Sequence, residues 1–234
     1  MRIRVIDFET TGTEPTDGIC EIGWTDVIAR RDVLDISLPK AMLVHPGRPI
    51  PPEARAVHHI SNRDIEHAPP VVVGLQQLME DQPCAFCAHN ARFERQFFGG
   101  GDTPWICTRK VAMRVWPDAP NFQNQTLRYL LDISADYGFD APSASPPHRA
   151  GPDTYVTAHI LSRALALQPV EQLIKWSNEP SLLPGSINFG KHKGTPWSRV
   201  ETGYLEWMVK QADMDEDARF TARHWLNRRR ADAR

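Results

Sequence analysis

A chain of 234 residues is long enough for one large domain, or for a domain with a small appendage. Its 41% hydrophobic and 24% charged residues are ordinary for a soluble globular protein and argue against disorder over most of the length. A net charge of −2 gives no global basic footprint, so any contact with nucleic acid must come from local patches. No apolar run approaches the ~20 residues that span a bilayer. Met1 leads straight into a strand without the layout of a signal peptide, so the expected location is cytoplasmic, with no membrane partner.

Arg2-Ile3-Arg4-Val5-Ile6 reads as a strand running into Asp7-Phe8-Glu9-Thr10-Thr11-Gly12. Strand side chains alternate, so Asp7 and Glu9 project from the same side of the sheet. Two neighbouring carboxylates resist joint ionisation unless a cation lies between them, and oxygen ligands suit Mg²⁺ or Mn²⁺. Taken alone, the pair reads first as two acids on a solvent-exposed strand face, and only the rest of the chain changes that. Residues 18–28 predict a second strand and 29–32 a turn. Residues 33–45 predict a third strand interrupted at Pro39, completing an antiparallel meander at one end of a sheet. Residues 46–52 hold four prolines and predict irregular structure. Ser61 or Asn62 can cap a short helix. Helical spacing returns over 71–79, a buried strand over 85–88, and Asn90 can cap a helix over 91–98.

Of the four cysteines, Cys84 and Cys87 form a C-x-x-C that can mean zinc or redox chemistry. No second pair stands at finger-like spacing, and the alternative is Cys87 as a small hydrophobe in a buried strand. Residues 105–108 predict another short strand, 109–116 a helix stopping before Pro117, 125–131 a further helix and 140–147 a loop. Pro152 suits the first turn of a helix through Val156, Ile160, Leu161 and Leu165. Strands alternating with helices after a meander give an α/β or α+β domain over a mixed sheet.

Two further stretches carry acids: His89-Asn90-Ala91-Arg92-Phe93-Glu94, where strand gives way to helix, and His148-Arg149-Ala150-Gly151-Pro152-Asp153, in a loop leading into a helix. Singly, each acid suits a helix cap or the helix dipole. Together and in this order, the three stretches resemble the DEDDh (DnaQ-like) 3′→5′ exonucleases, whose motifs run D-x-E, H-N-x-x-F-D and H-x-A-x-x-D. Ile50-Pro51 and His58-His59-Ile60-Ser61 are also similar to the family's segment after the third strand. The resemblance covers residues 1–168.

It implies an α/β fold, an RNase H-like mixed β-sheet flanked by helices, and two divalent metal ions, Mg²⁺ or Mn²⁺, about 3.5–4 Å apart. Asp7, Glu9 and Asp153 would be ligands, with Glu94 in the position of the fourth acid. His148 would be the general base, since imidazole titrates near neutrality. Glu94 departs from the family's Asp; its extra methylene reaches about an ångström further, an error that can cost ~10²-fold in a catalytic site. Three outcomes are open: the helix backs off to compensate, the acid contacts metal through water, or the activity is weakened or lost. Substrate contacts implied by the resemblance are the backbone after the D-x-E strand and a nearby apolar residue, here Phe8, Thr10 and Thr11, with His58 and Ile60 flanking the base and Asn90 and Phe93 from the second motif. Asn90 as helix cap and Phe93 as core remain open beside those roles. The implied substrate is single-stranded DNA or DNA 3′ ends, because stacking on apolar and aromatic groups is sequence-tolerant. RNA is the rival within the family, and a nuclease-like end-binding module weakened by Glu94 is the rival outside it.

Residues 169–186 are expected as a linker, with a short helix over 170–176 ahead of linker-like composition at 179–185, and 187–234 as a small C-terminal α+β module. Residues 187–197 predict a tight hairpin with basic and aromatic residues interleaved, a pattern similar to the exonuclease X-like subgroup. Helices are expected over 204–210 and 217–230. Tyr204, Leu205, Trp207 and Met208 would share a small core with Phe220, His224 and Trp225. Ten Lys/Arg against seven Asp/Glu in 187–234 mark the module as a candidate nucleic-acid contact, or as an appendage with a solvated basic tail.

Overall fold

The computed structural model describes residues 1–30 and 33–232. Strands β1 (Arg2–Thr10) and β2 (Ile19–Arg30) pair antiparallel over the whole of β1. Strands β3 (Val33–Ile36) and β4 (Lys40–Leu43) both pair with the free edge of β2, so they form one edge strand interrupted around Pro39. The turn expected at 29–32 includes Arg31 and Asp32, which lie outside the described residues. Strands β5 (Ala85–Ala88) and β6 (Trp105–Cys107) add in parallel beyond β1, giving a mixed sheet of order β3-β2-β1-β5-β6.

Helices α1 (Pro52–His58), α2 (Val71–Met79), α3 (Ala91–Phe97), α4 (Thr108–Val115), α5 (Asn124–Leu130), α6 (Ala150–Leu165) and α7 (Val170–Asn178) surround the sheet. Helices α8 (Thr202–Lys210) and α9 (Glu216–Asp232) form the C-terminal module. Among the described residues, no helix is long and apolar enough to cross a membrane.

Alternation along β1 sorts the core into two layers. Ile6 and Phe8 point with Ile22, Trp24 and Phe86 toward Leu78 of α2 and Ala91 of α3. Ile3 and Val5 point with Val27, Cys87 and Ile106 toward Val111 of α4, Ala158 and Leu161 of α6, and Leu173 of α7. Asp7 and Glu9 continue the row of Ile3 and Val5, so they stand where that apolar row ends, on the α6 side. On the other face Arg4, 2% exposed, is matched by its cross-strand partner Asp26 at 2.8 and 2.9 Å. Its remaining nitrogen donates to the carbonyls of Gln77, Leu78 and Glu80, satisfying the open C-terminal end of α2.

Several sequence expectations shift. The proline-rich run ends in a helix, because Pro52 stands at its first position, where the missing N–H costs nothing. After Ser61 the chain forms turns over 62–67 instead of a helix, with Asp64 accepting from the Ser61 N–H and hydroxyl at 2.7 Å. Segment 169–186 carries the short helix expected over 170–176, as α7 with Leu173 fully buried, but its end is no free linker: the Ser181 N–H donates to Asp217 and the Leu183 N–H to Thr221. The hairpin expected at 187–197 is a closed loop with a single bridge, Ser186 to Pro196. The module's core is Ile187, Trp197, Val200, Leu205, Met208, Ala218, Ala222 and Leu226. Trp207, 46% exposed, Phe220 and His224 lie outside it, because α8 and α9 meet along their small-residue and leucine faces. Cys87 is buried and Cys84 exposed, and both are free thiols.

Candidate active site

The register between β1 and β2 builds the floor of the site. Asp7 stands opposite Gly23 and Glu9 opposite Glu21, on the face that α6 covers. The start of α6 lies flat on this floor: a Cβ at Gly23 would fall 2.3 Å from the backbone of Ala150, so only glycine admits the helix there. Glu21, 2% exposed, accepts from Arg149 Nε at 3.0 Å, Arg149 Nη2 at 2.5 Å and the Ala150 N–H at 2.9 Å. This clasp fixes the first turn of α6 and delivers Asp153 over the strand. Glu21 was not anticipated; the signal was present, as a single acid inside the otherwise apolar run Ile19-Cys20-Glu21-Ile22-Gly23-Trp24.

One carboxylate oxygen from each of Asp7, Glu9 and Asp153 lies within 4.8 Å of the other two. Among the described residues this is the only group of three or more His, Cys, Asp or Glu side chains close enough to hold a metal ion. Asp153 accepts from the His148 backbone N–H at 2.9 Å and from Gln125 Nε2 at 3.4 Å, and the Asn124 side chain holds its carbonyl at 3.2 Å. Glu94, on α3, is 3% exposed, and its Oε2 is buried with no hydrogen-bond partner among the described residues.

Burial, followed by mutual repulsion, pushes these acids toward their protonated forms. The Asp7 carboxyl is raised well above its usual range by burial and then by Glu9, Asp153, Glu94 and Glu21. Burial and the charges of Asp153 and Glu21 raise Glu9 to about 8, with Arg149 opposing. Glu94 is raised to about 8, again chiefly by burial. Asp153 is raised by burial, opposed by the His148 N–H. Buried carboxylates in surplus over cations, one with an orphaned oxygen, are the donor set a hard divalent cation needs.

The acids open into a cleft of about 450 Å³ lined by Asp7, Asn90, Phe93, Glu94, His148 and Asp153 among others. His148 is exposed, with a φ of 60°, and stands at the cleft mouth. Asn90 occupies the N-cap position of α3 without a side-chain cap bond, which leaves its amide free for the cleft. His89 is spent on structure: Nε2 donates to the Phe122 carbonyl at 2.8 Å, Nδ1 accepts from the Thr108 hydroxyl at 2.9 Å, and burial lowers it to about 4.

The side chains of five residues expected near the substrate are engaged outside the cleft lining. Phe8 points to the opposite face of the sheet, as alternation requires of the residue between Asp7 and Glu9. Thr10 donates to the Gly12 carbonyl at 2.6 Å, and Thr11 accepts from the Gly18 N–H at 3.0 Å, closing the β1–β2 turn. His58 is buried, with Nδ1 accepting from the Ile60 N–H at 3.0 Å. Ile60 packs with Cys20, Ile50 and Ile65 in a satellite core.

A mixed sheet that brings acids of its first strand under the first turn of a covering helix defines the class, an RNase H-like nuclease fold. The model of the RNase T exonuclease family matches residues 5–161, and the chain belongs to that family, the DEDDh-type 3′→5′ exonucleases. It is 32% identical over 230 residues to Exodeoxyribonuclease 10 of Escherichia coli K12, covering 96% of this chain and 98% of that protein. The solved structure of exonuclease X in complex with 5′ overhanging duplex DNA matches with a TM-score of 0.64 at 30% identity, over 75% of this chain and 99% of that one. Exonuclease I of E. coli in complex with a dT13 oligonucleotide shares the fold, with a TM-score of 0.52 at 14% identity over 75% of this chain and 43% of that one.

Proposed function

We propose that this chain removes nucleoside monophosphates from DNA 3′ ends, with Mg²⁺ or Mn²⁺ held by Asp7, Glu9, Asp153 and Glu94. The observation that carries the reading is the convergence of Asp7, Glu9 and Asp153 within 4.8 Å at the base of an open cleft. Bound divalent cations would supply an acidified water and charge neutralisation at the phosphodiester. Glu94 fits the ligand set because its Oε2 has no other partner, so its extra reach is accommodated and the fourth acid is retained. His148 would take the proton of the attacking water, since its side chain stands free at the cleft mouth while its backbone is pinned to Asp153. Asn124 and Gln125 hold Asp153 in place, and the Glu21–Arg149 clasp holds the whole turn. Phe93 and Asn90 flank the terminal nucleotide. DNA is favoured over RNA by the likeness to Exodeoxyribonuclease 10 and to the DNA complex of exonuclease X.

The test uses a 5′-labelled single strand, and a recessed duplex beside it, in Mn²⁺, Mg²⁺ or EDTA. A metal-dependent ladder shortening from the 3′ end, absent in His148→Ala, is the expected result. Binding without shortening in either metal would leave only an end-binding module.

A further inference from the structure

The active cleft continues beyond its rim. Asn90 and Arg109 line it, and they also line a larger groove of about 700 Å³ between the exonuclease unit and the C-terminal module. After Arg109 that groove presents Arg92, Arg95 and Lys110. Two of these cations are engaged with the module, Arg92 on Asp215 at 2.7 Å and Lys110 on Asp217 at 3.3 Å. These pairs hold the module against the exonuclease unit. Arg109 and Arg95 have no acidic partner within ion-pair distance among the described residues; Arg95 lies over the Trp105 ring, 6.0 Å from its centroid. From the module come Asn188 and the partly buried ring of Phe189. The groove's two acids outside these pairs are Asp213, in the α8–α9 connection, and Glu216, at the start of α9.

A strand whose terminal nucleotide occupies the cleft has to leave it past some part of the rim. The rim at Arg109 offers a free guanidinium, the group best matched to a phosphate. Beyond it follow a second free guanidinium, an aromatic face and an amide, the combination that holds single strands by phosphate contact and base stacking. We propose that this groove seats the strand immediately upstream of the terminal nucleotide. Single-stranded nucleic acid lies there with its phosphates on Arg109 and Arg95 and a base against Phe189. The assignment rests on the exonuclease reading of the cleft, which places the 3′ end next to it. It also gives the module a task, as one wall of a shared substrate channel.

The experiment measures anisotropy of a fluorescent single-stranded oligonucleotide bound to the full chain in EDTA, across a salt series. The expected result for Arg95→Gln with Arg109→Gln is a log affinity–log salt slope shallower by about 1.4, two phosphate contacts at about 0.7 each. Phe189→Ala is expected to weaken binding about tenfold with the slope unchanged. Should the double variant fail to fold, Arg95→Gln alone, at an exposed position, is expected to lower the slope by about 0.7. Wild-type affinity and slope in variants whose thermal melts match the parent would overturn the proposal. Turnover of the p-nitrophenyl ester of thymidine 5′-monophosphate by the unaltered chain in Mn²⁺ tests the cleft separately, because that ester has nothing upstream of its scissile bond. No turnover would remove the exonuclease reading, while the salt slopes, taken without metal, still decide the groove.

Discussion

Strand β1 carries two sets of buried charge, one on each face, and they are treated in opposite ways. On the α2 face Arg4 meets Asp26 and three helix-terminal carbonyls, so each charge has its partner within the fold. On the α6 face, three and five residues further along, Asp7 and Glu9 converge with Asp153, within reach of the charge of Glu94, with Arg149 already committed to Glu21. The first set is neutral as built and acts as a structural fastener. The second is short of positive charge, and nothing among the described residues supplies it. Buried charge that is balanced internally holds a fold together; buried charge left in surplus marks where something charged must bind.

The largest effect expected from breaking this contrast is on the surplus side. Asp7→Ala should reduce turnover of a labelled strand by about 10³-fold or more, because it removes a central ligand oxygen. In EDTA at pH 8 the same variant should melt no lower than the parent, since it relieves repulsion. Next comes the balanced side. Arg4→Met should cost about 3–5 kcal/mol in urea unfolding, since it strips Asp26 and the end of α2 of their donor, while kcat of the folded fraction stays near wild type. A loss of turnover with unchanged stability would show that the two faces are not separable.

Glu94→Asp tests whether the site is built around the longer acid. Shortening withdraws the orphaned oxygen by about an ångström, and kcat should fall about 10²-fold. A faster variant would mean that glutamate attenuates an aspartate site. The smallest effect is on pH. Glu9 and Glu94 have folded-state values raised from 4.5 to about 8, so the stability they contribute in the protonated form is complete below 4.5 and is lost as pH rises through about 8. In EDTA the melting temperature should therefore decline across that window, and added Mn²⁺ should restore more at its alkaline end than at its acid end.

Much of this was legible in the sequence for a local reason. Alternation alone puts Asp7 and Glu9 on one face, helix spacing marks 71–79, and an apolar tetrapeptide at 85–88 marks the central parallel strand. What stayed hidden depends on partners distant in the chain. Nothing local says that Glu21 will be clasped by Arg149, 128 residues away, or that Arg4 will end α2 more than 70 residues on. The same alternation that reveals Asp7 and Glu9 turns the Phe8 side chain into the opposite core layer, so at that position only the backbone faces the acids' side. Motif similarity implies that His58 and Ile60 flank a base, and no local pattern shows that their segment folds over Cys20 and buries them. In the module, Trp207 and Phe220 attract attention by size, whereas alanines at 218 and 222 let α9 approach α8 and so define the core.

The central claim is that the acid cluster is a cation site poised by its own protons. It is tested most directly by titrating Mn²⁺ into the metal-free chain near pH 7, by calorimetry in buffers of different ionisation enthalpy. The account predicts saturable binding with net proton release, because carboxyls held up to about 8 must ionise to ligate, and it predicts loss of that binding in Asp7→Ala. Binding without proton release, or binding that survives Asp7→Ala, would contradict it.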